Sequence, residues 1–434
     1  MDDIDQGGFS NQQSGDELLD ARQAAELLGV KPATLYAYVS RGLLSSVAAV
    51  RGRGHRYARS EVMRLKGRAE ARSGHGPVAA AALDFGEPVL ETAVSAVDAQ
   101  GPRYRGLSAV ELAQKGVPFE SVAELLWSGS LPATPPQWAT DPSLSAARIL
   151  PLIPRGTAPL AALALLVPAL ALRDPARFAT PPETEKERAR QLLIQLAAGL
   201  ALGGDSDAQR FSSALSAPSI AAAVALALGK GRRNLATGEL LPAINQALVI
   251  IADHELNMST FAARVAASAG ADLYACFSAA LAALSGPRHG GACDRVEALV
   301  AEAARSREPA VVISDRLRRG ETVPGFGHPL YPEGDPRTPP LIELAQRLGG
   351  KRSGVDTLLA LVAAMTAAGY PPPSVDFGLV ALTLALGLPP GSAACLFAIG
   401  RSAGWVAHIL EQRQSPVGLR PRARYVGPRS VATE

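Results

Sequence analysis

The sequence predicts an all-α protein, and three observations carry that reading. Hydrophobic residues make up 47% of the 434 and aromatics only 5%, with the apolar content mostly Ala, Leu and Val. That composition favours packed helices over strands, which draw on β-branched and aromatic residues. Next, 34 prolines and 41 glycines divide the chain into many segments with short connections. Finally, the length suggests about three units and allows a large buried core.

From the N-terminus, residues 1–17 are polar and rich in Gly, Ser and Gln, the composition of a disordered tail. Residues 18–72 form a small unit. Within it Ala21–Leu28 reads as a helix stopped by Gly29. A second helix covers Ala33–Ser40, with Pro32 in its first turn and Gly42 after it. A basic, Gly-containing loop, Arg51–Tyr57, comes next. A further helix is expected over about Ser60–Arg72, with Ser60 as N-cap. From Arg41 to Arg72 there are nine Arg/Lys against Glu61 and Glu70, a local charge of +7 in a chain whose net charge is +3. Such a segment suits a polyanion.

The pattern Ala24-Ala25-x-Leu27-x-Gly29-Val30, then Thr34-Leu35-Tyr36, then Arg56-Tyr57 resembles the winged helix-turn-helix unit of the MerR and excisionase families. The resemblance implies DNA as a partner of residues 18–72. Lys31, Thr34, Tyr36 and Arg41 would be offered to a major groove, and Arg53 and Arg56 would come from the basic wing. A packing or dimerisation domain is the alternative.

Residues 73–82 read as a linker, and 83–434 as one long body. Its middle, from about 133 to 240, is Ala/Leu-rich helix broken by prolines. There the mixed-charge run Glu183–Arg188 reads as a solvated helix face. Three widely spaced cysteines without a CxxC pair argue against a disulfide framework and against a structural zinc site. The most apolar stretch, 158–172, is too short to span a bilayer and contains Pro159 and Pro168. The acidic N-terminus has no apolar signal region. A cytoplasmic protein without membrane attachment is expected.

Half of the six histidines fall in Gly-rich or acid-flanked motifs. These are Ala252-Asp253-His254-Glu255-Leu256-Asn257, Gly286-Pro287-Arg288-His289-Gly290-Gly291-Ala292, and Pro324-Gly325-Phe326-Gly327-His328. The third continues through Tyr331 to Asp335-Pro336-Arg337. Ser374-Val375-Asp376-Phe377 follows, then Gly400-Arg401-Ser402-Ala403-Gly404-Trp405-Val406-Ala407-His408, and Arg420-Pro421-Arg422. The order His, His, His, Asp and the flanks of each resemble the citrate synthase family. The resemblance begins at Tyr104-Arg105-Gly106 and Val122–Pro132 and resumes at Leu240-Leu241-Pro242.

The resemblance implies a citrate synthase-like body of large and small helical domains, the small one at approximately 290–400. It implies an acyltransferase that condenses acetyl-CoA with oxaloacetate to citrate and CoA, as in the tricarboxylic acid cycle. That chemistry needs a base for a weakly acidic methyl group, donors for the developing oxyanion and the ketone, and cations for two carboxylates. Residue by residue, Asp376 would be the base and His289 the enol-stabilising donor. His328 would polarise the ketone, and His254, Arg337, Arg401 and Arg420 would hold oxaloacetate. The family's last arginine serves the partner subunit, so a homodimer with Arg420 acting in trans is implied. No cofactor or metal is expected, with acetyl-CoA as substrate. Two alternatives stand beside this reading: a 2-methylcitrate synthase using propionyl-CoA, and a DNA-binding regulator whose synthase body senses metabolites.

The chain departs from the family where CoA phosphates are held. Pro329 and Pro332 stand where basic residues are usual, and Arg288 stands where an apolar residue is usual. Arg288, Arg316, Arg318 or Arg319 are the available substitutes.

Overall fold

The computed structural model describes residues 18–40, 44–48, 55–59, 61–62, 65, 90–139, 144–229, 238–306, 308–350, 354–415, 418–421 and 427. The chain forms two units: residues 91–419, and residues 1–90 with 420–434.

In the N-terminal unit, β1 (Leu18–Asp20) leads into α1 (Ala21–Leu28) and α2 (Pro32–Ser40), followed by β2 (Val47–Ala48) and β3 (His55–Ala58). The strands make an antiparallel sheet in the order β1-β3-β2. A capping box starts α1. Asp20 accepts from the Gln23 backbone N–H at 2.8 Å, and the Gln23 side chain accepts from the Asp20 N–H at 2.9 Å. Gly29, at φ 66°, closes the helix in the left-handed region. Leu19, Ala24, Ala25, Leu35, Leu44, Tyr57, Val62 and Leu65 form its core. Helical backbone is already present at Arg59, one residue before the expected Ser60 cap, which itself lies outside the described residues.

The body opens with a small antiparallel sheet, β4 (Ser95–Asp98), β5 (Gly101–Tyr104) and β6 (Leu107–Ser108). The all-α expectation did not include it. Helices follow: α3 (Ala109–Gln114), α4 (Phe119–Ser128), α5 (Ala146–Ile149), α6 (Pro159–Ala171), α7 (Pro182–Gly199), α8 (Ala208–Leu215) and α9 (Ile220–Leu228). The chain continues through α10 (Leu240–Ile250), α11 (Met258–Ser268), α12 (Leu273–Leu284), α13 (Gly291–Ala303) and α14 (Pro309–Arg318). The last are α15 (Thr338–Leu348), α16 (Val355–Ala367), α17 (Val375–Ala385) and α18 (Ser392–Gln414).

The central element is α18. It is long and apolar enough to cross a membrane by length and composition, yet it lies buried among α4, α10, α11 and α12. Two glycines one turn apart let it approach the chain after α10. A Cβ on Gly400 would fall 2.8 Å from Leu248 O, and one on Gly404 would fall 2.6 Å from Ala252 O. That close approach places Arg401, between the two glycines, against the segment that carries His254. A similar contact brings α15 and α17 together, where a Cβ on Gly378 would sit 3.4 Å from Thr338 O.

The run 183–188 corrects the expectation of a solvated face. Glu185 is 1% exposed and pairs with Arg413 on α18 at 2.8 Å, while Arg188 pairs with Asp174 at 2.6 Å. Alternating charge was read as surface, but here two of its members are consumed inside, Glu185 by a partner far away in sequence and Arg188 by one just before the helix.

Candidate active site

Six of the seven sequence-predicted synthase residues lie in the 91–419 unit, five of them in loops or at helix starts and Arg401 within a helix. His254 follows α10, and its neighbour Glu255 has a left-handed backbone at φ 51°, an uncommon conformation for a residue with a side chain. His289 precedes α13. His328 and Arg337 lie between α14 and α15, Asp376 is in the first turn of α17, and Arg401 is on α18. Arg420 falls outside this unit and is exposed.

Glycine geometry shapes the His328 loop. Gly325 (φ 85°) and Gly327 (φ 76°) both need the left-handed region, and a Cβ on Gly325 would fall 2.6 Å from Val296 and 2.8 Å from Phe377. The loop is bonded to the segment before the carboxylate: Gly327 N–H donates to Pro372 O at 2.9 Å, and Ser374 N–H donates to Gly325 O at 2.8 Å. The loop that carries His328 and the segment that leads to Asp376 are thereby tied by backbone.

A ring cluster surrounds His254. Its Nε2 lies 2.7 Å from the Tyr331 hydroxyl, and its ring meets that of His328 edge-on at 5.4 Å. Leu330 N–H donates to His328 Nδ1 at 3.2 Å, so the neutral ring carries its proton on Nε2. Arg337 is held by Asp335 through two bonds, Nε to Oδ1 at 2.9 Å and Nη2 to Oδ2 at 2.8 Å, and lies 5.6 Å from the Tyr331 ring centre. Asp335 also accepts from Val375 N–H at 3.2 Å, at the start of the helix that carries Asp376. Arg337 was expected to hold a substrate carboxylate. It is buried and paired bidentately with Asp335, and its Nη1 has no described protein bond.

The second cluster gathers at His289. Its Nε2 lies 2.7 Å from Ser259 Oγ and 3.1 Å from Asn257 Oδ1, and Trp405 Nε1–H donates to the same Ser259 oxygen at 3.1 Å. Phe397 joins this cluster to the arginine: its ring meets His289 edge-on at 5.6 Å, and the Arg401 guanidinium lies over it at 4.8 Å. Arg401 donates its Nε–H to Ile251 O at 2.9 Å. Its Nη groups have no described protein partner.

The electrostatics favour neutral rings and a basic carboxylate. Burial, then the charge of Arg401, pulls His289 down to about 3. Burial, then Arg337, pulls His328 down to about 4. The same causes hold His254 well below the ordinary histidine range. All three are therefore neutral near pH 7. Desolvation raises Asp376 above the usual carboxylate range and lowers Arg401 to about 10. For Asp335, burial alone would raise the value, but the Arg337 charge and the hydrogen bonds from Arg337 together bring it below the usual carboxylate range.

Sequence reasoning did not place Tyr331, Asp335, Ser259, Phe397 or Cys293 in the site. The first two stand inside a quoted motif and were within reach. Ser259 and Phe397 carry no local signal and enter only through the fold. Of the proposed CoA-phosphate ligands, Arg316, Arg318 and Arg319 are engaged by Glu302, Asp315 and Glu321. Arg288 is exposed and has no described partner. On the N-terminal unit, Lys31 and Tyr36 are exposed, Thr34 and Arg56 are half-buried, and Arg41 and Arg53 lie outside the described residues. Among the described residues no group of three or more His, Cys, Asp or Glu side chains could hold a metal.

Comparison with known proteins gives the family. The family model described as "Citrate synthase, C-terminal domain" matches residues 82–422, and a helix-turn-helix domain model matches residues 18–68. A citrate synthase of Haloferax volcanii is 31% identical over 366 residues, covering 79% of this chain and 94% of that protein. A 2-methylcitrate synthase of Mycobacterium tuberculosis is 29% identical over 360 residues, covering 79% and 89%. Citrate synthase 2 of Bacillus subtilis is 39% identical over 189 residues, 43% of this chain, and that match spans about half (51%) of the relative. Among solved structures, a complex of carboxymethyl coenzyme A and oxaloacetate with citrate synthase from Thermoplasma acidophilum superposes with a TM-score of 0.66 at 25% identity. It covers 79% of this chain and 95% of that one. The chain belongs to the citrate synthase family, and it carries a helix-turn-helix domain ahead of the family domain.

Proposed function

We propose that this protein is a citrate synthase-type acyltransferase that condenses an acyl-CoA with oxaloacetate. The observation that carries the reading is the joint placement of three neutral imidazoles, a desolvated carboxylate and two buried arginines in one unit. Asp376, with its raised basicity, takes the α-proton of the acyl thioester. His289 donates to the thioester oxygen as the enol(ate) forms. His328, protonated on Nε2, donates to the ketone oxygen of oxaloacetate and makes its carbon electrophilic. Arg337, Arg401 and His254 hold the two carboxylates, with Arg420 supplied by a second copy of the chain. The enol carbon attacks the ketone carbon, and water then cleaves the new acyl-CoA thioester to release CoA.

Acetyl-CoA is the preferred substrate in this reading, and propionyl-CoA the close rival. One methylene in an apolar pocket separates substrates by only about 1–3 kcal/mol. CoA release from the purified chain with oxaloacetate and each thioester tests the reading. Release with either supports it, and the ratio of kcat/KM values names the substrate.

A second reading concerns the N-terminal unit. Tyr36 stands exposed on α2, the second helix of a helix-turn-helix match, and Lys31 is exposed just before it, in the unit whose strand β3 carries His55 and Arg56. This supports DNA contact by residues 18–72. A salt-dependent shift of DNA that disappears when residues 1–76 are removed is the expected result. Its absence with every genomic fragment leaves the unit as a packing domain.

A further inference from the structure

Cys293 has no part in the steps above, yet its surroundings are specific. It lies on α13, four residues after His289, with no exposed surface. Its thiol donates to Asp376 Oδ1, with Sγ 3.2 Å away. Ser374, the N-cap residue of α17, donates its hydroxyl to the other oxygen, Oδ2, also at 3.2 Å. The carboxylate is thus held at both oxygens from two separate elements. The other cysteines are buried too, but Cys276 donates to Ala271 O just before its own helix, and Cys395 has no described bond.

We propose that Cys293 is a positioning residue for Asp376, its thiol holding one carboxylate oxygen while Ser374 holds the other, so that the base keeps one orientation through turnover. A thiol suits this task physically. Burial and the adjacent carboxylate push Cys293 well above the ordinary thiol range, so it stays protonated and remains a donor. An S–H group is also a weak donor. A strong donor would stabilise the anion and reduce its basicity, whereas a weak one orients it at less cost to base strength. The charged groups that face the carboxylate are Arg337 and Asp335 from the segment before α15 and Arg401 from α18. Asp294 and Glu297 of α13 face the thiol from its own helix.

The rate arm of the test rests on the synthase reading; the spectroscopic arm does not. In the first arm, kcat and KM are measured against pH for the full chain and for Cys293→Ala and Cys293→Ser. Loss of the donor in Cys293→Ala moves the acid limb of kcat to higher pH by about one unit or less, with the KM for oxaloacetate unchanged. Cys293→Ser, with a stronger donor, returns the limb to or below the wild-type position. An unmoved limb in Cys293→Ala, or the same movement in both variants, overturns the proposal. In the second arm, the S–H stretching band of Cys293 is isolated as the infrared difference between wild type and Cys293→Ser, without substrate. Replacing the anionic acceptor by Asp376→Asn shifts that band. A band indifferent to Asp376→Asn overturns the proposal, whether or not the protein releases CoA.

Discussion

The residues assigned to the ketone substrate and those assigned to the CoA moiety are built in opposite ways. Around His254, His328, Arg337 and Arg401, the side chains are buried or half-buried and brace one another. Asp335 alone holds both the Arg337 guanidinium and the first N–H of the helix that carries Asp376. On the CoA side, Arg316, Arg318 and Arg319 are taken up by acids, Pro329 and Pro332 are exposed without charge, and Arg288 stands alone at the surface. The difference teaches which part of the site tolerates change. A cross-braced, desolvated cluster cannot lose a member without leaving a buried charge or donor unpaired. An exposed cation over a phosphate is screened and replaceable.

That contrast can be broken in order of size. Asp376→Asn removes the base itself and is expected to lower kcat about 10²–10⁴-fold with little change in fold, read by CoA release and circular dichroism. Arg337→Ala leaves Asp335 buried without its partner, and a loss of about 3–5 kcal/mol of stability is expected in urea unfolding. A loss of only a few tenths would mean the cluster is not braced as described. The neutral histidines give a pH signature. Folded-state values near 3 and 4 for His289 and His328 lie below the unfolded value of about 6.5. As pH falls below about 6.5, the unfolded chain takes up protons that the folded one refuses. Stability therefore drops, by up to about 1.4 kcal/mol per pH unit for each ring. His328→Asn should flatten that slope. At the exposed side, Arg288→Ala is expected to raise the KM for acyl-CoA about 2- to 5-fold, an effect that fades at high salt, with kcat and the KM for oxaloacetate unchanged.

The sequence marked the clustered residues better than their supports. His254, His289, His328, Arg337, Asp376 and Arg401 were legible because each stands in a Gly-rich or acid-flanked motif whose residue types have few other uses. The first two helices were legible through Gly29 and Pro32, which act locally. What was missed depends on distant packing. Ser259 and Phe397 reach His289 only because α11 and α18 cross near it. Glu185 looked like part of a solvated charge run until Arg413, more than two hundred residues away, took it inside. The β4–β6 sheet was missed because its strands are short and contain Gly101 and Pro102, residues that argue against strands on propensity alone. Arg337 illustrates an intermediate case: its place in the cluster was readable, its pairing with Asp335 two residues earlier was not.

The central claim is that one buried carboxylate and three neutral imidazoles carry a condensation. CoA release from the purified chain with oxaloacetate and acetyl-CoA or propionyl-CoA, run beside Asp376→Asn, tests it most directly. Release that disappears in the variant is the predicted result. A folded protein that binds oxaloacetate but frees no CoA from either thioester, or a variant that releases it as fast as the wild type, would contradict the account.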